Sequence, residues 1–250
     1  MKVTVYNCRP FDEKALFEKY AKEFSLELVL CPDAPNLENA ELARGSGCID
    51  IITSKMDREL LKRFADYGVR YVTTRTIGYD HIDLEAAREF GMTVANAPYG
   101  PHGVADYATM LLLMTIRRMK RILQRTEIQD YTLAGIQGRE LKDLTVGVIG
   151  TGRIGRCVLS NLSGFGCKRL AYDLYENEEV KKSGAVYVSL EEMWKQADVI
   201  TLHAPLTEDN YHMIDAKAIA SMKDGVMIVN TARGGLIDTE ALIDGIESGK

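Results

Sequence analysis

Thr145-Val146-Gly147-Val148-Ile149 runs directly into Gly150-Thr151-Gly152-Arg153-Ile154-Gly155, and Val158-Leu159 continue as an apolar run of helical character. A glycine-rich turn alone is a weak signal, because such turns arise by chance. Here it follows a β-rich stretch and opens a helix, the context that gives the Gly-x-Gly-x-x-Gly spacing its meaning. Gly150 permits the tight turn, Gly152 lets a pyrophosphate approach the backbone, and Gly155 lets helix and strand pack closely. The N–H groups that open the helix then face the phosphates, helped by the helix dipole. A structural turn next to a surface aspartate is the alternative.

Asp173 decides between them. It lies eighteen residues beyond Gly155, at the end of the next β-rich run. A carboxylate there can accept hydrogen bonds from adenosine ribose hydroxyls and repels a 2′-phosphate, so NAD is expected rather than NADP. Leu174 and Tyr175 offer no arginine to a 2′-phosphate, whereas Lys168 and Arg169 stand just upstream.

Outward from this motif, β-rich runs alternate with helical ones. The second half predicts strands at Thr145–Ile149, Arg169–Tyr172, Ala185–Val188, Val199–Leu202 and Val226–Asn230, and a final helix at Thr239–Glu247 closed by Gly249. The first half predicts strands at Lys2–Asn7, Leu26–Leu30, Ile49–Thr53 and Val69–Thr73. Amphipathic helices at Asp12–Glu23 and Asp57–Asp66 lie between, with Asp12 and Asp57 as N-caps. Asn96-Ala97-Pro98-Tyr99-Gly100-Pro101 disfavours helix and strand alike and reads as a crossover, followed by a long helix near Val104–Arg121. The alternation predicts an α/β protein of two layers, each a parallel sheet with helices on both faces. The boundary falls between residues 1–99 and 100–250.

Strand ends supply the candidate substrate groups, since ligands of open parallel sheets bind beyond the carboxyl ends of the strands. Thr74 to Asp83 follows one such strand, and Gly78 would let backbone N–H groups of the loop face an anion; a plain turn with Asp83 capping the next helix is equally open. Val229-Asn230-Thr231-Ala232-Arg233-Gly234-Gly235 closes the last strand, and a guanidinium there can grip a carboxylate with two parallel bonds. A surface arginine paired with a nearby acid is the plainer reading. His203, at the end of the fourth strand of the second series, reads as a structural donor before a catalyst. His102 and His212 read as loop or surface residues, and His81 as no better candidate.

Composition narrows the class. Net charge is −5, with 31 basic and 36 acidic residues spread along the chain, so no basic stripe suits nucleic acid. Hydrophobic residues make up 46% and charged ones 27%, as in ordinary soluble proteins. The five cysteines are scattered with no Cys-x-x-Cys pair, which argues against disulfides and metal sites and for reduced thiols in the cytoplasm. Met1–Tyr6 alternates like a strand and lacks a signal-peptide core. The longest apolar run, Ala108–Ile116, falls short of the roughly twenty residues that a bilayer needs. It reads as a helix packed against a second subunit, making a homodimer, or as an intrachain core helix.

Taken together, the glycine motif with Asp173, His203-Ala204-Pro205-Leu206-Thr207, Asn230 to Gly235, the Thr74–Asp83 loop and Val94-Ala95-Asn96-Ala97-Pro98-Tyr99 resemble the D-isomer-specific 2-hydroxyacid dehydrogenases. Val104-Ala105-Asp106-Tyr107 and Thr145–Ile149 look most like the D-lactate dehydrogenases of fermentation and vancomycin resistance. Asp209 to Ile214 is similar to the aryl-lactate dehydrogenases. The resemblance implies a flavodoxin-like substrate domain and a Rossmann NAD-binding domain facing each other across a crevice. It implies reversible reduction of pyruvate, or a related aryl or branched 2-oxo acid, to the D-2-hydroxy acid by hydride transfer. Arg153, Ile154 and Asp173 would hold the dinucleotide, with Gly150, Gly152 and Gly155. Ala204, Pro205 and Asn210 would line the nicotinamide side, and Thr231 and Ala232 would continue that wall. Arg233 would bind the substrate carboxylate and polarise its carbonyl, Ile77 and Gly78 would give that carboxylate backbone donors, and Tyr99 would pack nearby.

The family's acid/base histidine and the glutamate that raises its pKa lie beyond Lys250, and none of the four histidines stands in the matching motif. The sheet of a six-stranded dinucleotide fold would also be one strand short. The sequence is therefore expected to be part of a longer enzyme. A family member that keeps the NAD site without turnover is the alternative, and relatives acting on formate, phosphite or glycerate would use Arg233 equally well.

Overall fold

Two five-stranded parallel sheets organise the chain, one within Met1–Tyr99 and one within Gly100–Lys250, and the computed structural model describes all 250 residues. The sheet of the first unit contains β1 (Lys2–Val5), β2 (Glu27–Leu30), β3 (Cys48–Ile51), β4 (Tyr71–Thr74) and β5 (Thr93–Asn96), in the order β2-β1-β3-β4-β5. That order is the flavodoxin-like one. Its helices are α1 (Lys14–Glu23), α2 (Arg58–Asp66) and α3 (Leu84–Glu89). One face of the sheet packs Ile49, Ile51 and Val72 against Leu61 and Phe64 of α2 and Ala86 of α3. The other packs Val3, Val5 and Cys48 with Phe17 of α1.

In the second unit, α4 (His102–Ile116) and α5 (Met119–Glu127) precede the sheet. Its strands are β6 (Thr145–Ile149), β7 (Lys168–Tyr172), β8 (Val186–Tyr187), β9 (Val199–Leu202) and β10 (Met227–Asn230), in the order β10-β9-β6-β7-β8. The helices between and after them are α6 (Arg153–Ser163), α7 (Glu178–Lys182), α8 (Leu190–Gln196), α9 (Ala216–Ser221) and α10 (Thr239–Glu247). Counted within the unit, the order is that of a dinucleotide-binding Rossmann sheet, whose direction of winding reverses between β6 and β9. Val146 and Val148 face α4 and α6, while Ile149, Ile200 and Leu202 face Met193 and Trp194 of α8. Gly147 makes room there: a Cβ at this position would stand 2.1 Å from the Met193 sulfur.

The structure departs from the sequence reading in four places. β5 is not among the predicted strands, and the crossover takes in only its last residue, Asn96; it is a four-residue edge strand paired with β4, with Thr93, Ala95 and Asn96 exposed and Val94 packed on the core. Asp12 does not cap α1, because it pairs with Arg9 and the helix starts from Glu13. The helix near Val104–Arg121 is two helices. Arg118 adopts a left-handed backbone (φ 53°), and Arg139 N–H takes the Ile116 carbonyl at 3.0 Å, ending α4. Several strands are also a residue or two shorter than their apolar runs. No helix is long and apolar enough to cross a membrane.

α4 resolves the question of which way its apolar surface faces. Ala105, Ala108, Leu112 and Ile116 enter the core of their own unit. Met110, Leu113 and Met114 instead line an open groove of about 790 Å3 with Met119, Ile122 and Phe165.

Candidate active site

The turn from β6 into α6 builds the first part of the site. Gly150 has φ +89°, and a Cβ there would stand 2.5 Å from the Ala204 nitrogen and 2.6 Å from the His203 carbonyl carbon. The carboxyl ends of β6 and β9 thus approach backbone to backbone, at the point where the winding of the sheet reverses. A Cβ on Gly155 would lie 1.8 Å from the Gly150 oxygen, which holds α6 tight against the strand. Around Gly152, the N-cap of α6, a Cβ would meet nothing within 4 Å. The turn therefore leaves open space where helix N–H groups emerge, and a pyrophosphate fits such a place. Arg153 is exposed beside it, and Ile154 packs on the core.

Asp173 stands just past β7. Its Oδ2 accepts from Thr151 N–H at 2.6 Å and from the Thr151 hydroxyl at 3.1 Å, and its Oδ1 accepts from Tyr175 N–H at 3.2 Å. The two basic residues upstream are turned elsewhere. Arg169 donates to the Leu159 and Ser183 carbonyls, and Lys168 donates to Gln196. The acidic group and the open glycine turn together suit a dinucleotide with a bare ribose.

Next to these, His203 is part-buried, its Nε2 3.0 Å from the Thr201 hydroxyl and its Nδ1 3.5 Å from that of Thr231. Burial holds its pKa down at about 4. A neutral imidazole between two hydroxyls joins the ends of β9 and β10. Beyond it, Asn210 donates to the Pro205 carbonyl at 2.7 Å and accepts from Thr207 N–H at 2.8 Å, so its amide staples the loop that carries Ala204 and Pro205.

Past β10, Asn230 folds the turn that presents Arg233. Its amide donates to the Arg233 carbonyl at 2.8 Å and accepts from Ala232 N–H at 2.9 Å. The half-buried Arg233 guanidinium donates to the Ala232 carbonyl at 3.0 Å, within reach of Thr231 and Ala232 in chain order. Sequence reasoning passed over Asn230, although asparagine at a strand end before small residues is a turn-forming pattern. Thr151 and Tyr187 were passed over as well, since a hydroxyl pair that reaches across β7, from the end of β6 to β8, leaves no periodic trace.

In the first unit, the loop after β4 is braced from two sides. Ala97 N–H donates to the Thr76 carbonyl at 3.1 Å and the Asn96 amide donates to the Ile77 carbonyl at 2.8 Å. In a trans peptide N–H and C=O point oppositely, so the N–H groups of Ile77 and Gly78 turn away from β5. Arg75 is drawn back into the sheet, bonded to Asp50, to Glu13 at 3.1 Å, and to the carbonyls of Tyr6 and Asn7 at 3.0 and 3.1 Å. It anchors the loop rather than serving a ligand. Asp83 caps α3 by accepting from Ala86 N–H at 2.9 Å. Tyr99 is half-exposed at the end of the unit. No group of three or more His, Cys, Asp or Glu side chains is gathered as metal ligands.

Residues 109–250 match the D-isomer specific 2-hydroxyacid dehydrogenase, NAD binding domain. The chain belongs to the D-isomer specific 2-hydroxyacid dehydrogenases. It is 47% identical to an aromatic 2-oxoacid reductase of Clostridium sporogenes over the whole chain and 76% of that protein. It is 40% identical to a D-lactate dehydrogenase of Lactiplantibacillus pentosus, again over the whole chain and 76% of the relative. Among solved structures, D-lactate dehydrogenase from Aquifex aeolicus complexed with NAD and lactic acid matches with a TM-score of 0.91 and 35% identity. That likeness covers 99% of this chain and 74% of that one. Membership makes the protein an NAD-dependent oxidoreductase of 2-hydroxy acids, with the Rossmann unit as the NAD-binding domain.

Proposed function

We propose that this dehydrogenase interconverts a 2-oxo acid, pyruvate or a bulkier aryl relative, and its D-2-hydroxy acid. The observation that carries the reading is a guanidinium at the carboxyl end of β10, on a turn built by Asn230, in a unit whose β6–α6 turn suits a dinucleotide. The names of the relatives support both substrate sizes, and 47% identity to the aromatic 2-oxoacid reductase gives the aryl reading its weight.

When bound, NADH supplies the hydride that the carbonyl carbon takes up. Gly150, Gly152 and Gly155 shape the turn that holds the pyrophosphate, with Arg153 and Ile154 beside it and Asp173 on the adenosine ribose. Ala204 and Pro205, braced by Asn210, line the nicotinamide side, and Thr231 and Ala232 continue the wall. Arg233 binds the substrate carboxylate and polarises the carbonyl. Ile77 and Gly78 N–H groups serve as carboxylate donors, and Tyr99 packs near the substrate. His203, neutral and part-buried, holds Thr231 in place and does not deliver the proton that the new alkoxide requires.

The direct test is NADH oxidation by the full-length protein with pyruvate and with phenylpyruvate; silence with both would remove the proposal. Arg233→Gln is expected to lower kcat/KM for the preferred acid by about a hundredfold or more, since two charge-assisted bonds at roughly 1.5–3 kcal/mol each are lost. An unchanged kcat/KM would take the carboxylate away from Arg233.

The groove beside α4 supports a homodimer through this face of the Rossmann unit, because Met110 and Met114 line it without entering the core of their own unit. Five free thiols fit a reducing compartment, and the cytoplasm is the location proposed.

A further inference from the structure

Four groups at or just past the carboxyl ends of β6, β7 and β8 form a hydrogen-bond chain with a single direction. Asn177 N–H donates to the Tyr187 hydroxyl oxygen at 2.9 Å. The Tyr187 and Thr151 hydroxyls are 2.8 Å apart, and the Thr151 hydroxyl stands 3.1 Å from Asp173 Oδ2. A carboxylate accepts and cannot donate, and each hydroxyl carries one proton. The Thr151 proton therefore points at Asp173, and the Tyr187 proton points at Thr151. The Tyr187 lone pair takes the Asn177 amide.

We propose that Thr151 and Tyr187 are positioning residues that set selectivity for NAD over its 2′-phosphorylated counterpart, by locking the Asp173 carboxylate through one oxygen. An aspartate on a loop can ordinarily rotate aside and let a phosphate in. Asp173 cannot do so without abandoning the Thr151 amide and hydroxyl on Oδ2 and the Tyr175 amide on Oδ1. Thr151 is only 3% exposed, so water does not replace it. Tyr187 is placed by its pairing opposite Ala171 and by packing of its ring on the core. Through Asn177 the same hydroxyl pins the far end of the loop 173–177, where a 2′-phosphate would have to fit. The two cations just upstream do not compensate, since Arg169 and Lys168 are bonded elsewhere.

This rests on Asp173 as the ribose acceptor, and the experiment separates the two ideas. NADH and NADPH are each titrated into the full-length protein and its variants, with binding read by protein fluorescence. The quantity compared is the ratio of the two dissociation constants. Tyr187→Phe and Thr151→Val are each expected to reduce the preference for NADH by about three- to tenfold, the range that one neutral hydrogen bond commands. Thr151→Ser keeps the hydroxyl and should keep the preference. A merely structural loss would weaken both dinucleotides alike and leave the ratio where it was, which would overturn the proposal. Tyr187→Phe removes a single half-buried oxygen and carries the test even if Thr151→Val does not fold. Should Asp173→Ser abolish the preference while Tyr187→Phe retains it, the locking chain is wrong and the ribose assignment stands. Should Asp173→Ser change nothing, both fall.

Discussion

His203 illustrates how a residue with the chemistry of a catalyst is made into a fastener. An unfolded histidine takes up a proton near pH 6.5, whereas burial keeps the folded one neutral down to about pH 4. Between these limits only the unfolded chain binds the proton, so stability falls as the pH drops from 6.5 to 4 and this contribution then levels off. The total is about 3 kcal/mol. Urea melts at pH 7 and pH 4.5 should show a smaller acid loss in His203→Gln than in the natural protein. Equal losses would mean that the imidazole is protonated within the fold. At this scale the sequence was informative wherever chemistry depends on identity and spacing, as for the glycines of the β6–α6 turn with Asp173, whereas the role proposed for Arg233 came from the resemblance. The sequence was silent on Thr151, Tyr187 and Arg75, whose roles arise from partners 36, 36 and up to 69 residues away.

At the scale of elements, caps and breaks decide where helices run. Asp57 has an extended backbone and accepts from Leu60 N–H at 3.1 Å, satisfying one of the donors that open α2. Asp57→Ala is expected to destabilise the protein by about 1 kcal/mol, read from the urea midpoint by circular dichroism. A midpoint that does not move would show that α2 is held by Leu60, Leu61 and Phe64 alone. Asp57 was readable because its cap is local in sequence. The break between α4 and α5 was not, since it depends on Arg139 reaching back to Ile116 from a loop more than twenty residues on. β5 was missed for a related reason. Only Val94 of this edge strand packs on the core, and a single apolar contact leaves no alternation to read.

The whole molecule was the most legible scale, because alternation of short apolar runs with helices leaves few topologies open. Both parallel sheets follow from it, while the two strand orders had to come from the resemblance. What the Rossmann unit associates with belongs here too. Met110→Glu, in the groove beside α4, is expected to halve the mass measured by light scattering if a homodimer forms there. A variant that keeps the mass of the natural protein would rule this face out.

The cysteines have a practical corollary. Cys8, Cys31 and Cys48 lie in the first unit and Cys157 and Cys167 in the second; all are free, and all but Cys157 are buried. Burial also raises the pKa of Cys8, Cys48, Cys157 and Cys167, which leaves little thiolate for alkylation in the native state. Reaction at the buried sites must wait for the backbone around them to open. Pulses of a maleimide at rising urea, resolved by peptide mass, would therefore time the opening of each half of the chain separately, with reporters that are already in place.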